Sequence, residues 1–277
     1  MTIKDRYAVL GQPIKHSKSP RIHQLFAAQT GQLLSYHARE VPVEQFTTVV
    51  TAFFTEGGKG LNCTVPLKEL AWNYADENTG RAKLSKAVNT LTLREDGVII
   101  GDNTDGCGLV ADLTVNHGIK LAGSRILILG AGGASRGIIA PLIEQAPYSL
   151  VIANRTIEKA VNLAAEFCDK GSVTGCGFAA LAHQQYDLIL NATSASLSDQ
   201  LPPLPEGLIA ENGICYDLAY GNQPTPFVRW GLGHGAAKSL DGLGMLVEQA
   251  AEAFFIWRGV RPDTQAVIEL LNTERDP

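Results

Sequence analysis

The sequence contains no long apolar run and no cluster of basic residues. Nothing approaches the ~20 apolar residues that a membrane-spanning helix requires, and the first twenty residues have only a short apolar segment, which is not typical of a signal peptide. The 23 Lys and Arg residues are scattered among 28 Asp and Glu residues, which argues against a nucleic-acid-binding surface. We therefore expect a cytoplasmic protein that contacts neither membrane nor nucleic acid.

Cysteine and histidine are also sparse. The five cysteines are odd in number and widely spaced, without a C-x-x-C pair, and the six histidines form no H-E-x-x-H motif. This distribution gives little support to a disulfide framework or a structural zinc site. We expect reduced thiols and no bound metal.

The composition is that of a globular protein. The 277 residues are 45% hydrophobic and 18% charged, with room for two domains of ordinary size. In the first hundred residues, Ser19-Pro20 predicts a helix start with Ser19 as N-cap, and Gly31 predicts its end. Asp96-Gly97 between two apolar segments predicts an antiparallel hairpin. This half should therefore be an α/β domain with a mixed sheet.

From residue 124 the alternation of strand and helix signals is more regular. Buried strands are predicted at 125–129, 150–153, 186–190 and 214–217, and two helices at 245–257 and 262–272 follow them. Strands that alternate with helices in this way form a parallel sheet covered on both faces. We expect a Rossmann-type, doubly wound parallel-sheet domain here.

A glycine-rich turn follows the first of these strands and opens a helix. Glycines in this position permit a tight turn and let backbone N–H groups approach a pyrophosphate at the helix N-terminus. Ser135 replaces the third glycine of the usual G-x-G-x-x-G pattern, yet it is small enough for close helix–strand packing. In this context the turn at residues 130–134 predicts dinucleotide binding, with a purely structural turn as the alternative.

The end of the next strand indicates which dinucleotide is bound. NAD-binding proteins usually place Asp or Glu there to hold the ribose hydroxyls, whereas this chain has Asn154-Arg155-Thr156 and then Lys159. Arginine forms bidentate, charge-assisted hydrogen bonds with a 2′-phosphate, which a carboxylate would repel. We predict NADP(H); a solvent-exposed arginine without a ligand is the alternative.

Short polar clusters interrupt the first half of the chain where strands are predicted to end, and each alone could be a turn or a cap. They read H-S-K-S-P at 16–20, N-C-T-V-P-L-K at 62–68, A-V-N-T at 87–90 and N-T-D-G at 103–106. Further motifs follow at 130–134, 154–156, 191–194 (N-A-T-S) and 241–249 (D-G-L-G-M-L-V-E-Q). Taken together and in this order, they resemble the shikimate dehydrogenase family over nearly the whole chain.

The resemblance implies an oxidoreductase of the shikimate pathway, which leads to chorismate and the aromatic amino acids. The reaction would be the NADPH-dependent, reversible reduction of 3-dehydroshikimate to shikimate, with Lys68 and Asp105 as the catalytic pair. Substrate contacts would come from Ser17, Ser19, Thr64, Asn89, Asp105, Tyr220 and Gln249. NADP contacts would come from Gly130, Ala131, Gly132, Gly133, Ala134, Asn154, Arg155, Thr156, Lys159, Leu218 and Gly242.

The resemblance also implies a division of the chain into two domains. Residues 1–105 and 242–277 would form the substrate-binding and catalytic domain, and residues 106–241 the Rossmann NADP-binding domain. The oligomeric state is left open between monomer and homodimer.

The residue types at the implied site suit this chemistry. Hydride delivery to a ketone creates an alkoxide, which Lys68 could protonate while Asp105 orients the lysine. Free N–H groups and hydroxyls near Ser17 and Ser19 suit a substrate carboxylate. Without the resemblance, Lys68 would be interpreted as a surface lysine.

Three alternatives remain open at this point. One is a quinate/shikimate dehydrogenase with broader substrate and cofactor use, although Arg155 argues against a preference for NAD. A folate dehydrogenase of similar two-domain build fits the N-T-D-G and serine clusters poorly. A non-catalytic NADP-sensing module is disfavoured because Lys68 and Asp105 are both present.

Overall fold

The computed structural model describes residues 4–193, 195 and 200–275. The chain divides into two compact units, one with Met1–Gly108 and Leu246–Leu270 and the other with Leu109–Met245 and Leu271–Pro277. In the division predicted from the sequence, the functional domains meet at 105/106 and 241/242, and residues 271–277 belong to the substrate domain. That assignment of function to segments stays a prediction.

The α-helices alternate with the strands over most of the chain, as the sequence pattern indicates. Their bounds are α1 Ser19–Thr30, α2 Phe46–Thr55, α3 Lys68–Tyr74, α4 Gly80–Ser85, α5 Asp105–Ala111, α6 Gly133–Ile143, α7 Ile157–Ala165, α8 Pro226–Gly233, α9 Leu243–Arg258 and α10 Thr264–Thr273. A π-helical segment, Asp112–Asn116, continues α5. Pro141 lies two residues before the end of α6. Proline has no N–H group, so one hydrogen bond near the end of the helix is not formed.

The start of α1 differs from the prediction by one position. Ser19 is the first helical residue and Lys18 is the N-cap, so the prediction of Ser19 as N-cap is wrong. The hydroxyl of Ser17 accepts the N–H of Ser19 at 3.3 Å, so the backbone of Ser19 is already turned into the helix. Gly31 ends the helix in the left-handed conformation at φ 65°, as predicted.

The first unit is built on a six-stranded mixed sheet. Its strands are β1 Asp5–Gly11, β2 Leu34–Glu40, β3 Gly58–Cys63, β4 Glu77–Asn78, β5 Thr90–Leu93 and β6 Ile99–Asp102, in the order β2-β1-β3-β5-β6-β4. β1 pairs in parallel with β2 and β3, whereas β5 is antiparallel to both β3 and β6. The mixed sheet is therefore confirmed, and β5 and β6 form the predicted hairpin around Asp96-Gly97.

The second unit contains a fully parallel six-stranded sheet. Its strands are β7 Arg125–Leu129, β8 Ser149–Ala153, β9 Val173–Cys176, β10 Tyr186–Asn191, β11 Ile209–Asp217 and β12 Lys238–Asp241, in the order β12-β11-β10-β7-β8-β9. The strand order reverses between β7 and β10, which is the place where doubly wound sheets bind ligands at the carboxyl ends of the strands. The four residues 126–129 of β7 are completely buried. The predicted Rossmann-type sheet is confirmed.

No helix in the described ranges is long and apolar enough to cross a membrane. Those same residues also place no group of three His, Cys, Asp or Glu side chains where they could hold a metal ion. All five cysteines are free thiols.

A buried histidine lies in the aromatic core of the first unit. The ring of His23 in α1 stacks on Tyr36 at a centroid distance of 4.0 Å and an interplanar angle of 7°. Phe26, Phe254 and Trp257 surround the same ring. Neither ring nitrogen has a hydrogen-bond partner among the described residues, and burial lowers the pKa of His23 to about 3.

His23 should therefore make the protein less stable in acid. The unfolded chain binds a proton at this histidine below pH 6.5, whereas the folded protein does not until about pH 3. Stability is thus lost as the pH falls through this window, by about 2 kcal/mol at pH 5. We expect His23→Phe to flatten the pH dependence of the urea midpoint between pH 7 and pH 5. The exposed histidine control, His37→Phe, should keep the wild-type slope; equal slopes in all three proteins would contradict the prediction.

Candidate active site

The two residues predicted as the catalytic pair are in contact. Lys68 begins α3, shortly after β3, and Asp105 begins α5, shortly after β6. The Nζ atom of Lys68 lies 2.5 Å from Oδ2 of Asp105, and their side chains are 19% and 11% exposed. The pair is thus largely withdrawn from water while part of each side chain stays accessible to a ligand.

Asn89 joins this pair to two further polar side chains. Its Nδ2 group donates to Oδ1 of Asp105 at 2.8 Å and to the hydroxyl of Thr104 at 2.9 Å, and it lies 3.3 Å from Oε1 of Gln249. The N–H of Thr104 donates to Oδ1 of Asn89 and is one of the bonds that orient the amide. Lys68, Asp105, Asn89 and Gln249 therefore form one network in the first unit.

Ser17, Ser19 and Thr64 are in the same unit but have no direct hydrogen bond to that network among the described residues. Ser17 and Ser19 lie at the start of α1, with Ser19 only 7% exposed. Thr64 directly follows β3, and its N–H donates to the carbonyl of Leu10 at 2.9 Å. Their assignment as substrate contacts stays a prediction.

An ion pair next to Asp105, between Arg81 and Asp102, was not predicted from the sequence. Arg81 makes a bidentate ion pair with Asp102, at 3.1 Å from Nε to Oδ1 and 2.6 Å from Nη2 to Oδ2. Asp102 also accepts the N–H of Asn103, and the Asn103 side chain accepts the N–H of Asp105. These bonds therefore fix the backbone that leads into Asp105. The sequence shows the Asp102 carboxylate directly before the N-T-D-G motif, but it does not indicate that Arg81 is the partner of this carboxylate.

The glycine-rich turn of the second unit depends on glycine at its first position. Gly130 has φ 103°, and a Cβ there would lie 3.1 Å from the carbonyl oxygen of Ala192. Ser135, which replaces the third glycine, is fully buried and donates its hydroxyl to the carbonyl of Gly130 at 2.8 Å. This hydrogen bond joins the start of α6 to the turn, which explains why serine can replace the third glycine of the motif.

The donor groups around this turn fit NADP. α6 begins at Gly133 without a side-chain cap, so its first N–H groups have no capping side chain, and Gly132 and Gly133 are exposed with open space around their Cα atoms. Beyond β8, Arg155 and Lys159 are exposed and make no ion pair within the described part of the chain. Ala131, Ala134, Asn154 and Thr156 belong to the same two turns, and the Asn154 side chain donates to the Thr156 carbonyl at 2.9 Å.

Leu218, Tyr220 and Gly242 lie at the carboxyl ends of β11 and β12 in the second unit. Gly242 donates its N–H to the carbonyl of Ala219 at 3.1 Å, and Leu218 donates to that of Asn191 at 2.9 Å. These three predicted residues therefore lie at the same edge of the sheet, at the carboxyl ends of its last two strands. Ser194, the last residue of the N-A-T-S motif, lies outside the described residues.

Gly242 should not tolerate even a methyl group. A Cβ there would lie 2.3 Å from the carbonyl oxygen of Leu218, a backbone atom that cannot move cheaply. We expect Gly242→Ala to cost about 1–3 kcal/mol of stability and to weaken NADP binding. Gly233→Ala, at a glycine with nothing within 4 Å of the added carbon, is the matched control. Thermal unfolding with and without NADP measures both effects, and equal behaviour of the two variants would contradict the prediction.

Comparison with known proteins agrees with this geometry. Residues 9–91 match the family model of the shikimate dehydrogenase substrate-binding domain, residues 112–198 that of shikimate/quinate 5-dehydrogenase, and residues 242–271 that of the shikimate 5-dehydrogenase C-terminal domain. A protein of Methylococcus capsulatus named shikimate dehydrogenase (NADP(+)) is 64% identical over 275 residues, which cover 99% of each chain. The chain belongs to the shikimate dehydrogenase family. The resemblance read from the motifs is thereby confirmed.

Solved structures of similar proteins share the whole fold. An Ael1 enzyme from Pseudomonas putida is 48% identical, with a TM-score of 0.90 over 97% of this chain and 98% of its own. Shikimate 5-dehydrogenase from Thermus thermophilus, solved in complex with NADP(H) and shikimate, is 33% identical, with a TM-score of 0.85 over 96% of this chain and 97% of its own. The agreement covers both units of the chain.

Proposed function

We propose that this protein catalyses the reversible, NADPH-dependent reduction of 3-dehydroshikimate to shikimate. The observation that carries the proposal is the partly accessible Lys68–Asp105 pair at 2.5 Å, oriented by Asn89, in a chain of the shikimate dehydrogenase family. A sensor protein would have no need for a half-shielded ammonium group beside a carboxylate. The function is therefore enzymatic.

The side chains of the network have distinct tasks in this proposal. NADPH, when bound, supplies the hydride that reduces the ketone. Lys68 donates a proton to the oxygen on which negative charge develops. Asp105 holds the ammonium group in place and accepts a hydrogen bond from a ring hydroxyl, while Asn89 and Gln249 contact further hydroxyls. Ser17, Ser19, Thr64 and Tyr220 complete the contacts to the substrate.

The cofactor would bind to the second unit. N–H groups of residues 130–134 hold the pyrophosphate at the start of α6, and the Arg155 guanidinium holds the 2′-phosphate with help from Lys159. Asn154 and Thr156 shape the turn beside it, and Leu218 and Gly242 line the nicotinamide. Residues 1–105 and 242–277 would form the substrate domain, in a cytoplasmic monomer or homodimer.

The deciding experiment follows NADPH formation by the purified protein with shikimate, beside parallel assays with NAD and with quinate. Turnover of shikimate with NADP and none with quinate is the expected result. Turnover of both acids would favour the broader quinate/shikimate activity, a candidate that the family model matched by residues 112–198 keeps open. Tight NADP binding without turnover of either acid would contradict the proposed function.

A further inference from the structure

A buried tyrosine hydroxyl lies at the far end of the hydrogen-bond network that contains the catalytic pair. Tyr36 is 1% exposed, so its hydroxyl does not contact a ligand. It donates to Oδ1 of Asn62 at 2.7 Å. Burial raises the pKa of Tyr36 well above its ordinary value, and a hydrogen bond from Ser19 opposes the rise. The hydroxyl therefore keeps its proton and lies between Ser19 and Asn62.

The hydrogen bonds from Tyr36 to Asp105 run in one direction only. Nδ2 of Asn62 donates to the carbonyl of Asn89 at 3.0 Å and to the hydroxyl of Thr90 at 3.1 Å. A carbonyl can only accept, so Oδ1 of Asn62 must face Tyr36. The Thr90 hydroxyl, already an acceptor, sends its proton to Oδ1 of Asn89 at 2.9 Å. The NH₂ group of Asn89 is left to face Asp105, at 2.8 Å.

We propose that the Tyr36 hydroxyl is a positioning group for the Lys68–Asp105 pair, acting through Asn62, Thr90 and Asn89. Buried polar networks are stabilised when every member has its partner, and one missing donor leaves its neighbour free to reorient. Without the Tyr36 donor, Asn62 loses the partner of its carbonyl oxygen and can rotate away from Thr90. The Thr90 hydroxyl, no longer held by the bond it accepts, can then turn its proton away from Oδ1 of Asn89, which weakens one of the bonds that direct the NH₂ group of Asn89 to Asp105.

The chain contains a matched control for this hydroxyl. Tyr7 belongs to the same aromatic cluster, stacks on Trp257 at 4.7 Å and is 3% exposed. Its hydroxyl accepts a hydrogen bond from Arg258 at 3.3 Å, and no chain of bonds among the described residues joins it to Asp105. Phenylalanine at either position keeps the ring, so the Tyr36–His23 stack survives in Tyr36→Phe.

The first test compares Tyr36→Phe with Tyr7→Phe in steady-state kinetics, and it rests on the proposed function. We expect Tyr36→Phe to lower kcat/KM for shikimate about tenfold while KM for NADP stays within twofold, because only the first unit is affected. Tyr7→Phe should stay within twofold of wild type in both values. Equal losses in the two variants, or a loss confined to NADP, would overturn the proposal.

A double-mutant cycle tests whether the bonds act in series. Tyr36 and Thr90 both act through Asn89 in this scheme, so Tyr36→Phe combined with Thr90→Val should lose no more activity than the worse single variant. Losses that multiply, as for independent sites, would show that Tyr36 does not act through this chain.

A measurement independent of activity separates this inference from the proposed function. In protein labelled with ¹⁵N-asparagine, we expect the side-chain NH₂ protons of Asn89 to exchange with solvent at least about tenfold faster in Tyr36→Phe than in wild type or Tyr7→Phe. Asn89→Asp identifies the resonance. If wild type fails to oxidise shikimate, the proposed function is wrong, and this exchange rate still decides the role of Tyr36: unchanged exchange in Tyr36→Phe would overturn it.

Discussion

Lys68→Met should lower kcat for shikimate oxidation by about 10²–10⁴-fold, the usual contribution of a positioned general acid–base group. The reason is that its Nζ atom, 2.5 Å from Asp105, is the group that we propose donates a proton to the alkoxide. KM for NADP should change little, because the proposed cofactor contacts are in the second unit. Steady-state kinetics with both substrates measures the split between kcat and KM.

Two control variants make this result specific. Lys68→Arg keeps a positive charge beside Asp105, but a guanidinium group releases its proton poorly, so its activity should also be low while its thermal stability stays near wild type. Lys59→Met removes an exposed lysine from β3 and should leave kcat unchanged. If Lys68→Met retained more than about a tenth of wild-type kcat, Lys68 would not be the proton donor.

Arg155→Ala should raise KM for NADP about 10- to 100-fold and leave KM for NAD almost unchanged. The guanidinium group is exposed at the end of β8 and is free of ion pairs in the described ranges, so a 2′-phosphate would be its partner. Hydrogen bonds to charged groups contribute about 1.5–3 kcal/mol, which corresponds to this factor. The ratio of kcat/KM for NADP and NAD is the quantity to measure.

The control for charge is Arg39→Ala, which removes an exposed arginine from the first unit. It should leave the preference for NADP over NAD as it is. Equal changes for NADP and NAD in Arg155→Ala would show that Arg155 does not contact the 2′-phosphate, and Lys159 would then be the next residue to replace.

The type of each sheet was predictable because the signals of several of its strands are local. The buried strand at 125–129, the glycine turn after it and the second strand ending at Ala153 follow from apolar periodicity and from turn chemistry within about thirty residues. The Asp96-Gly97 hairpin is equally local. The N-cap of α1 was misplaced by one residue because Ser17 and Ser19 both have capping chemistry, and only the backbone path shows which hydroxyl reaches a free N–H.

The sequence by itself determined the fold class, the family and the residue types of the site, since these depend on short motifs in a fixed order. Only the tertiary structure decided which polar side chains are partners. Arg81 and Asp102, or Tyr36 and Asn62, are more than twenty residues apart. The first pairing arises because α4 packs against β6, and the second because of the order of the strands in the sheet. Burial then makes each pairing necessary, because an unpaired polar group inside the protein costs more free energy than the hydrogen bond contributes.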